Sequence, residues 1–152
     1  MNVNHHISHY VLGWVYKRKG AISKVIECFE TVSSMDNSPV FTAALSYAHG
    51  LNRHRGKALA LLNELEKQSN DRYVSSYARA LVHIGLDEKD QAFACLDKAF
   101  EERSEMLPWL DVGAEYDSLR VDARFLDLRW RVGLRPINGT RPRKHSHIDH
   151  GA

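Results

Sequence analysis

The fold of this chain is decided by the stretch from residue 12 to residue 29, which reads LGWVYKRKGAISKVIECF. Residues of this stretch have counterparts of similar character at two later places in the chain, at a nearly constant interval. Three such columns are Gly13, Ser46 and Ala80; Val25, Ala58 and Ala92; and Phe29, Leu62 and Leu96. Small residues are needed where two packed helices cross closely, and a larger apolar residue one turn later fills the adjoining gap. The period therefore predicts three helix pairs in register.

The spacing of the apolar residues predicts helices throughout. Within residues 22–35 these residues recur at steps of three and four, which places them on one helix face. The turn sequence Asp36-Asn37-Ser38-Pro39 ends that run. The predicted helices span residues 10–19, 22–35, 40–51, 56–68, 75–86 and 90–103. Asp122 is expected to cap a seventh helix that runs to Arg131, after a partly irregular connection through Leu107-Pro108-Trp109.

The repeated pattern resembles that of the tetratricopeptide repeat family, whose period is about 34 residues. The matching residues are Leu12-Gly13-x2-Tyr16 and Val25-x3-Phe29 in repeat one, Leu45-Ser46 and Ala58-x3-Leu62 in repeat two, and Ala92-x3-Leu96 in repeat three. The resemblance implies an all-α, right-handed helix-turn-helix solenoid of three helix pairs with a C-terminal capping helix. The domain would cover residues 6–134, with repeats at about 6–38, 39–71 and 72–104 and a capping region at 105–134.

Three further stretches resemble a narrower group within that family. They are YVSSY at residues 73–77, KAFEERS at residues 98–104 and DSLRVDARF at residues 117–125. The group comprises the C-terminal repeat arrays of bacterial winged-helix transcriptional regulators, adenylate cyclase-like regulators and Ser/Thr protein kinases. The resemblance implies an interaction part without enzymatic residues. It leaves two alternatives open, a stand-alone adaptor or scaffold and a detached regulatory or sensor segment of a larger bacterial regulator or kinase.

Composition places the chain among globular proteins. Its 152 residues are 43% hydrophobic and 26% charged, with a net charge of +2. No apolar run approaches the roughly 20 residues of a membrane span, and the N-terminus lacks the order of a secretory signal, so a cytoplasmic protein is expected. Residues 135–152 carry two of the four prolines and the cations Arg135, Arg141, Arg143 and Lys144. This segment is predicted to be a disordered basic tail.

A partner-binding surface is predicted on the first helix of each repeat. In stacked helix pairs these helices line the concave side, where aromatic side chains offer a large contact area at little entropic cost. The predicted groove residues are Tyr10, Trp14, Lys17, Tyr47, Tyr77 and Leu81. The expected partner is another protein or peptide segment. The competing interpretation is that these side chains pack against neighbouring helices or against one another.

The inventory of reactive residues predicts neither an enzyme nor a bound cofactor. No Ser-His-Asp order, phosphate-binding glycine loop or C-x-x-C is present. Six of the nine histidines lie near the ends of the chain: His5, His6, His9, His145, His147 and His150. No cysteine or carboxylate completes a metal site among them at recognised spacing, so no metal is expected. Weak metal or nucleic-acid binding by the termini stays as an alternative. Cys28 and Cys95 are expected to be buried, reduced thiols.

Overall fold

The computed structural model describes residues 4–134. Those residues form seven α-helices and two short 3-10 helices, and they contain no β-strand. The α-helices are α1 (Asn4–Arg18), α2 (Ile22–Met35), α3 (Pro39–Leu51), α4 (Arg55–Gln68), α5 (Ser76–Gly85), α6 (Lys89–Glu101) and α7 (Ala123–Val132); the 3-10 helices are Leu107–Trp109 and Ala114–Leu119. The predicted all-helical class is confirmed, whereas the predicted basic tail at 135–152 lies outside the described residues.

The helix bounds follow the sequence closely, with two exceptions. Helices α2 to α5 begin and end within one residue of the predicted positions. Helix α1, however, begins at Asn4 instead of Tyr10, because the histidine-rich lead-in contains no glycine or proline that would break a helix. Helix α6 ends two residues early, since Arg103 adopts a left-handed backbone with φ of 57°.

Consecutive helices pack against each other as pairs. Helix α1 packs on α2, α3 on α4, and α5 on α6. The first two pairs are joined where α2 contacts α3, and the second and third pairs are joined mainly where α3 contacts α5. The second 3-10 helix, Ala114–Leu119, lies against both α1 and α5, and α7 lies against α6. The core therefore continues from one pair to the next and ends under the C-terminal segment.

The column of small residues lies where the two helices of each pair cross. A Cβ atom at Gly13 would overlap the ring of Phe29 on α2. In the second pair the buried hydroxyl of Ser46 donates a hydrogen bond of 2.9 Å to the carbonyl oxygen of Ala58 on α4. Ala80 is likewise completely buried in the third pair. The close crossing predicted from the sequence is confirmed in the first two pairs, and in the third pair the burial of Ala80 agrees with it.

Helices α3 and α5 approach each other closely at two glycines. A Cβ atom at Gly50 would overlap the carbonyl group of Gly85, and one at Gly85 would overlap the backbone of Tyr47. Helices α1 and α3, in contrast, are separated by aromatic rings, with the centroids of Trp14 and Tyr47 5.2 Å apart. The spacing between successive pairs therefore differs along the molecule, a difference that the repeat columns did not indicate.

The turns inside the three pairs share one backbone conformation. Gly20, Arg53 and Asp87 stand one repeat period apart from each other, and their φ angles are 73°, 59° and 57°. Only the first of these positions carries glycine, the residue that adopts this left-handed conformation without steric cost. The repeat period thus extends to a backbone feature that the side chains do not reveal.

The C-terminal helix is held to α6 by two similar sets of contacts, one set two helical turns beyond the other. The guanidinium of Arg124 lies 4.5 Å from the centre of the Phe93 ring and 2.7 Å from Oδ1 of Asp90. Arg131 repeats the arrangement, 5.3 Å from the Phe100 ring and 2.6 Å from Oδ1 of Asp97. Because both sets advance in the same direction, α7 runs parallel to α6 and residues 102–122 form the crossover between them.

The predicted cap of α7 is confirmed in its details. The Asp122 carboxylate accepts a hydrogen bond of 2.9 Å from the backbone N–H of Arg124, and Gly133 ends the helix with φ of 94°. Phe125 and Leu128 are buried, as predicted, and Val132 is half-buried.

Candidate functional site

The residues predicted to line a groove do share one face of the molecule. We call this the inner face; it is formed by α1, α3 and α5 and carries Tyr10, Trp14, Lys17, Tyr47, Tyr77 and Leu81. The rings of Tyr10 and Trp14 on α1 meet edge to face with centroids 5.9 Å apart, and the Trp14 ring continues to Tyr47 on α3. The sequence pattern therefore selected side chains from three different helices that the fold brings together.

A segment of the chain itself covers the inner face. The second 3-10 helix, Ala114–Leu119, lies on α1 and α5. The hydroxyl of Tyr77 donates a hydrogen bond of 3.0 Å to Oε1 of Glu115, and Nζ of Lys17 lies 3.4 Å from Oδ2 of Asp117. Tyr47, Tyr77 and Leu81 are at most 2% exposed, while Tyr10, Trp14 and Lys17 are half-buried. The structure thus shows these side chains packed against other residues of the same chain.

Arg120 fastens this covering segment to the preceding loop. Its guanidinium donates hydrogen bonds of 2.8 Å to the carbonyl oxygens of Leu110 and Gly113, and it lies 5.4 Å from the ring of Phe125. Its Nε also donates to Asp117 at 3.1 Å. One side chain thereby connects the loop, the covering segment and α7.

Glu115 brings a carboxyl group into this largely aromatic setting. The residue is only 6% exposed. Burial raises the pKa of Glu115 above its ordinary value, although the Tyr77 hydroxyl and the charge of Arg120 act in the opposite direction. Burial likewise raises the pKa of Tyr10 to about 12 and that of Tyr77 well above its usual range. The inner face therefore favours neutral groups, and a charged carboxylate is held there at a cost.

The histidines do not assemble a metal site in the part of the chain that the structure describes. His5 and His9 share one side of α1, with their Nε2 atoms 3.3 Å apart. No group of three or more metal-ligating side chains occurs among residues 4–134. His145, His147 and His150 lie outside this range.

Two internal histidines pack between helices. His49 is 5% exposed, and burial lowers its pKa, although Glu30 of α2 lies 3.9 Å from its Nε2. His83 lies 3.1 Å from Oε1 of Glu88. Both histidines thus have an acidic side chain of a neighbouring segment beside the ring.

The two cysteines differ in their exposure. Cys28 is buried on α2, as expected, whereas Cys95 is half-buried, so the expectation is wrong for the second thiol. Cys95 lies beside the buried line of Ala92, Leu96 and Ala99 on α6 and not within it. Burial raises the pKa of both thiols, which keeps them in the protonated, weakly nucleophilic form.

Sequence reasoning missed an apolar surface on the solvent-exposed side of α1. We call it the α1 stripe; it consists of Ile7, Val11, Leu12 and Val15, which are 49%, 55%, 40% and 42% exposed. With Ser8 these residues line one shallow depression. The repeat period could have indicated this surface, because it aligns Val11 with Ala44 and Ala78, and Val15 with Ala48 and Val82. All four of these later residues are completely buried.

Comparisons with known proteins leave the chain to be interpreted from its own residues. No protein-family model, curated protein or solved structure matches it. In the described part, none of the helices has both the length and the apolar character needed to cross a membrane.

Proposed function

We propose that this chain is a non-catalytic protein–protein interaction module, acting as an adaptor, scaffold or regulatory unit. The observation that carries the proposal is the α1 stripe, where four aliphatic side chains are each 40% or more exposed in a row along one helix. Contiguous exposed apolar surface of this kind marks contact sites on soluble proteins more often than it marks an inert surface. Protein contact is therefore the function that the exposed surface supports best.

The fold proposed to present this surface is a tetratricopeptide-type, right-handed solenoid in a bacterial, cytoplasmic protein. Three lines support it: the columns of similar residues at the repeat period, the close crossing of the helices in the first two pairs, and the left-handed turn at Gly20, Arg53 and Asp87. Solenoids expose the faces of their terminal repeats unless these are capped, and α7 covers part of the last pair here.

Binding of a partner segment to the inner face stays a prediction, and it requires that the segment now covering this face moves away. A segment that reaches Tyr77 from this side has to displace residues 114–119 and break the hydrogen bond from Tyr77 to Glu115. Such a partner is expected to increase amide hydrogen exchange in the displaced residues.

A partner-capture experiment tests the interaction proposal. The tagged chain and its Val11→Asp/Val15→Asp variant would be compared in native lysate. Val121→Asp is the control, because Val121 is 91% exposed and does not line the depression formed by the α1 stripe. We expect a protein that is retained by the wild type and the control and lost by the α1 variant. Recovery of the same proteins by all three chains would contradict a role for the α1 stripe.

The resemblance to regulator arrays favours a second candidate, a regulatory or sensor segment of a larger bacterial regulator or kinase. The open reading frame around the coding sequence distinguishes the two, because an effector domain in frame would establish the second candidate.

A further inference from the structure

The α1 stripe belongs to a face that the other helix pairs use for stacking. On α3, Phe41 lies against the rings of His6 and Tyr10 of α1, with centroids 5.9 and 5.2 Å apart, and His49 lies 3.9 Å from Glu30 of α2. Leu45 and Ala48, on the same side of α3, are buried. This side of α3 is thus the one that docks on the preceding pair.

The third pair uses the equivalent face in the same way. Arg79 of α5, which stands one repeat period after Leu45, reaches back to Glu66 of α4 with a separation of 3.2 Å between Nε and Oε1. Val82, the counterpart of Ala48, is completely buried. The corresponding residues of α1 are Leu12 and Val15. These two belong to the α1 stripe, and within residues 4–134 no helix pair precedes α1 to cover them.

Charge distinguishes the occupants that could cover this face. At the junction of the second and third pairs, Glu66 of the preceding helix lies beside the guanidinium of Arg79 on the docking helix. At the first junction the preceding helix also places a glutamate, Glu30, beside the docking helix, where it lies 3.9 Å from His49. Helix α1 contains no aspartate or glutamate, and Arg18 and Lys19 are exposed at its C-terminal end. A second α1 packed on the first would supply no carboxylate from either helix to these cations, whereas a helix bordered by acids would.

Two charged residues on the neighbouring helix α2 do not change the net charge beside the α1 stripe. The depression between α1 and α2 is lined by Lys24 and Glu27 together with Leu12, and the two charges are of opposite sign. The exposed charges at the C-terminal end of α1 are therefore the cations Arg18 and Lys19, of which Arg18 also acts on the buried carboxyl of Glu115.

We propose, as a refinement that rests on the proposed function, that the α1 stripe binds an amphipathic α-helix of another polypeptide with an aliphatic face bordered by glutamate or aspartate. Ile7 to Val15 span about 12 Å along the axis, so two to three turns of the partner helix are in contact. Its aliphatic face would cover Val11 and Val15, and its acids would lie near Arg18 and Lys19. The partner helix would take the place on α1 that α2 takes on α3, with its acids placed as Glu66 of α4 is placed beside Arg79 of α5.

The test uses two synthetic helical peptides, cross-linked to hold the helix because isolated short helices are marginal in water. Both carry the same leucine face; one has glutamate and the other lysine at the border positions. Binding of the labelled peptides to the full chain is followed by fluorescence anisotropy. We expect the glutamate peptide to bind about tenfold more tightly than the lysine peptide at low salt, with the difference shrinking as salt is added.

Variants then locate the binding. Val11→Asp should weaken the glutamate peptide at least about tenfold, because it places a charge within the apolar contact, and Val121→Asp should leave binding unchanged. Equal binding of both peptides, or binding that Val11→Asp does not weaken, would overturn the assignment. So would a concentration-dependent dimer in sedimentation velocity that Val11→Asp abolishes, since the occupant would then be a second copy of this chain.

The two experiments distinguish a failure of the acid-bordered helix proposal from a failure of the proposed function. If neither peptide binds while partner capture still depends on Val11 and Val15, the acid-bordered helix is excluded and the interaction function stands. If capture shows no such dependence, the proposed function itself is contradicted.

Discussion

At the scale of single residues, Glu115 shows how position can reverse the usual behaviour of a side chain. A glutamate is rarely buried, yet Glu115 is 6% exposed, and its carboxyl accepts a hydrogen bond from the hydroxyl of Tyr77. Burial raises its pKa, so the folded protein binds a proton at Glu115 more tightly than the unfolded chain does. Folding is therefore favoured at pH values below the unfolded pKa of a glutamate, and this contribution is lost as the pH rises through the folded pKa.

The variant Glu115→Gln tests whether the charge of Glu115 lowers the stability of the folded protein. The amide oxygen can still accept from Tyr77, but it carries no charge, so we expect the variant to gain stability over the wild type at pH 7 and to lose that advantage at pH 4. The groups facing the carboxyl are Tyr10, Tyr77, Tyr116, Arg18 and Arg120. Urea unfolding at both pH values measures the difference. A variant that is less stable at pH 7 than at pH 4, relative to wild type, would contradict the sign.

At the scale of elements, the turn between the helices of each pair is the feature that repeats most faithfully. Gly20, Arg53 and Asp87 all adopt φ between 57° and 73°. A residue with a side chain is destabilised by about 1–2 kcal/mol in this left-handed conformation. Glycine avoids that strain, but its greater conformational freedom in the unfolded chain offsets part of the gain in stability. The turn geometry is thus imposed by the packing of each pair, even where the local residue does not favour it.

We expect Arg53→Gly to stabilise the protein by up to about 1 kcal/mol, because the exposed turn would no longer hold a side chain in a left-handed conformation. The matched control is Gly20→Ala, where a Cβ atom would meet open space, so that the backbone alone is tested. It should lose about 1 kcal/mol. Thermal and urea unfolding measure both changes, and a loss of stability in Arg53→Gly would refute the argument.

At the scale of the whole molecule, the C-terminal segment covers the helix pairs at two separate places. Residues 114–119 cover the inner face, and α7 covers α6. Leu128 is completely buried and anchors α7, whereas Leu126 on the same helix is 46% exposed. Since α7, the Arg120 contacts and the inner face share one core, we expect them to unfold together with the helix pairs.

Leu128→Ala is therefore expected to lower the free energy of unfolding by about 2–4 kcal/mol, the usual cost of removing a buried leucine side chain. Leu126→Ala makes the same chemical change at an exposed position of α7 and should cost less than about 1 kcal/mol. Urea denaturation followed by circular dichroism compares them. A separate early transition in Leu128→Ala, leaving most helix intact, would show that the cap is not part of the cooperative unit.

The sequence by itself determined the helices, their pairing and the residues at each crossing. These features depend on nearby residues and on a period that can be counted, as Gly13, Ser46 and Ala58 illustrate. Only the tertiary structure decided what covers each face. The contact of Tyr77 with Glu115 joins residues 38 apart, and no local pattern marks an acid for burial by such a distant partner. The exposure of Val11 has the same origin: its counterpart Ala44 is buried by neighbouring helices, and α1 has no pair before it in the described chain.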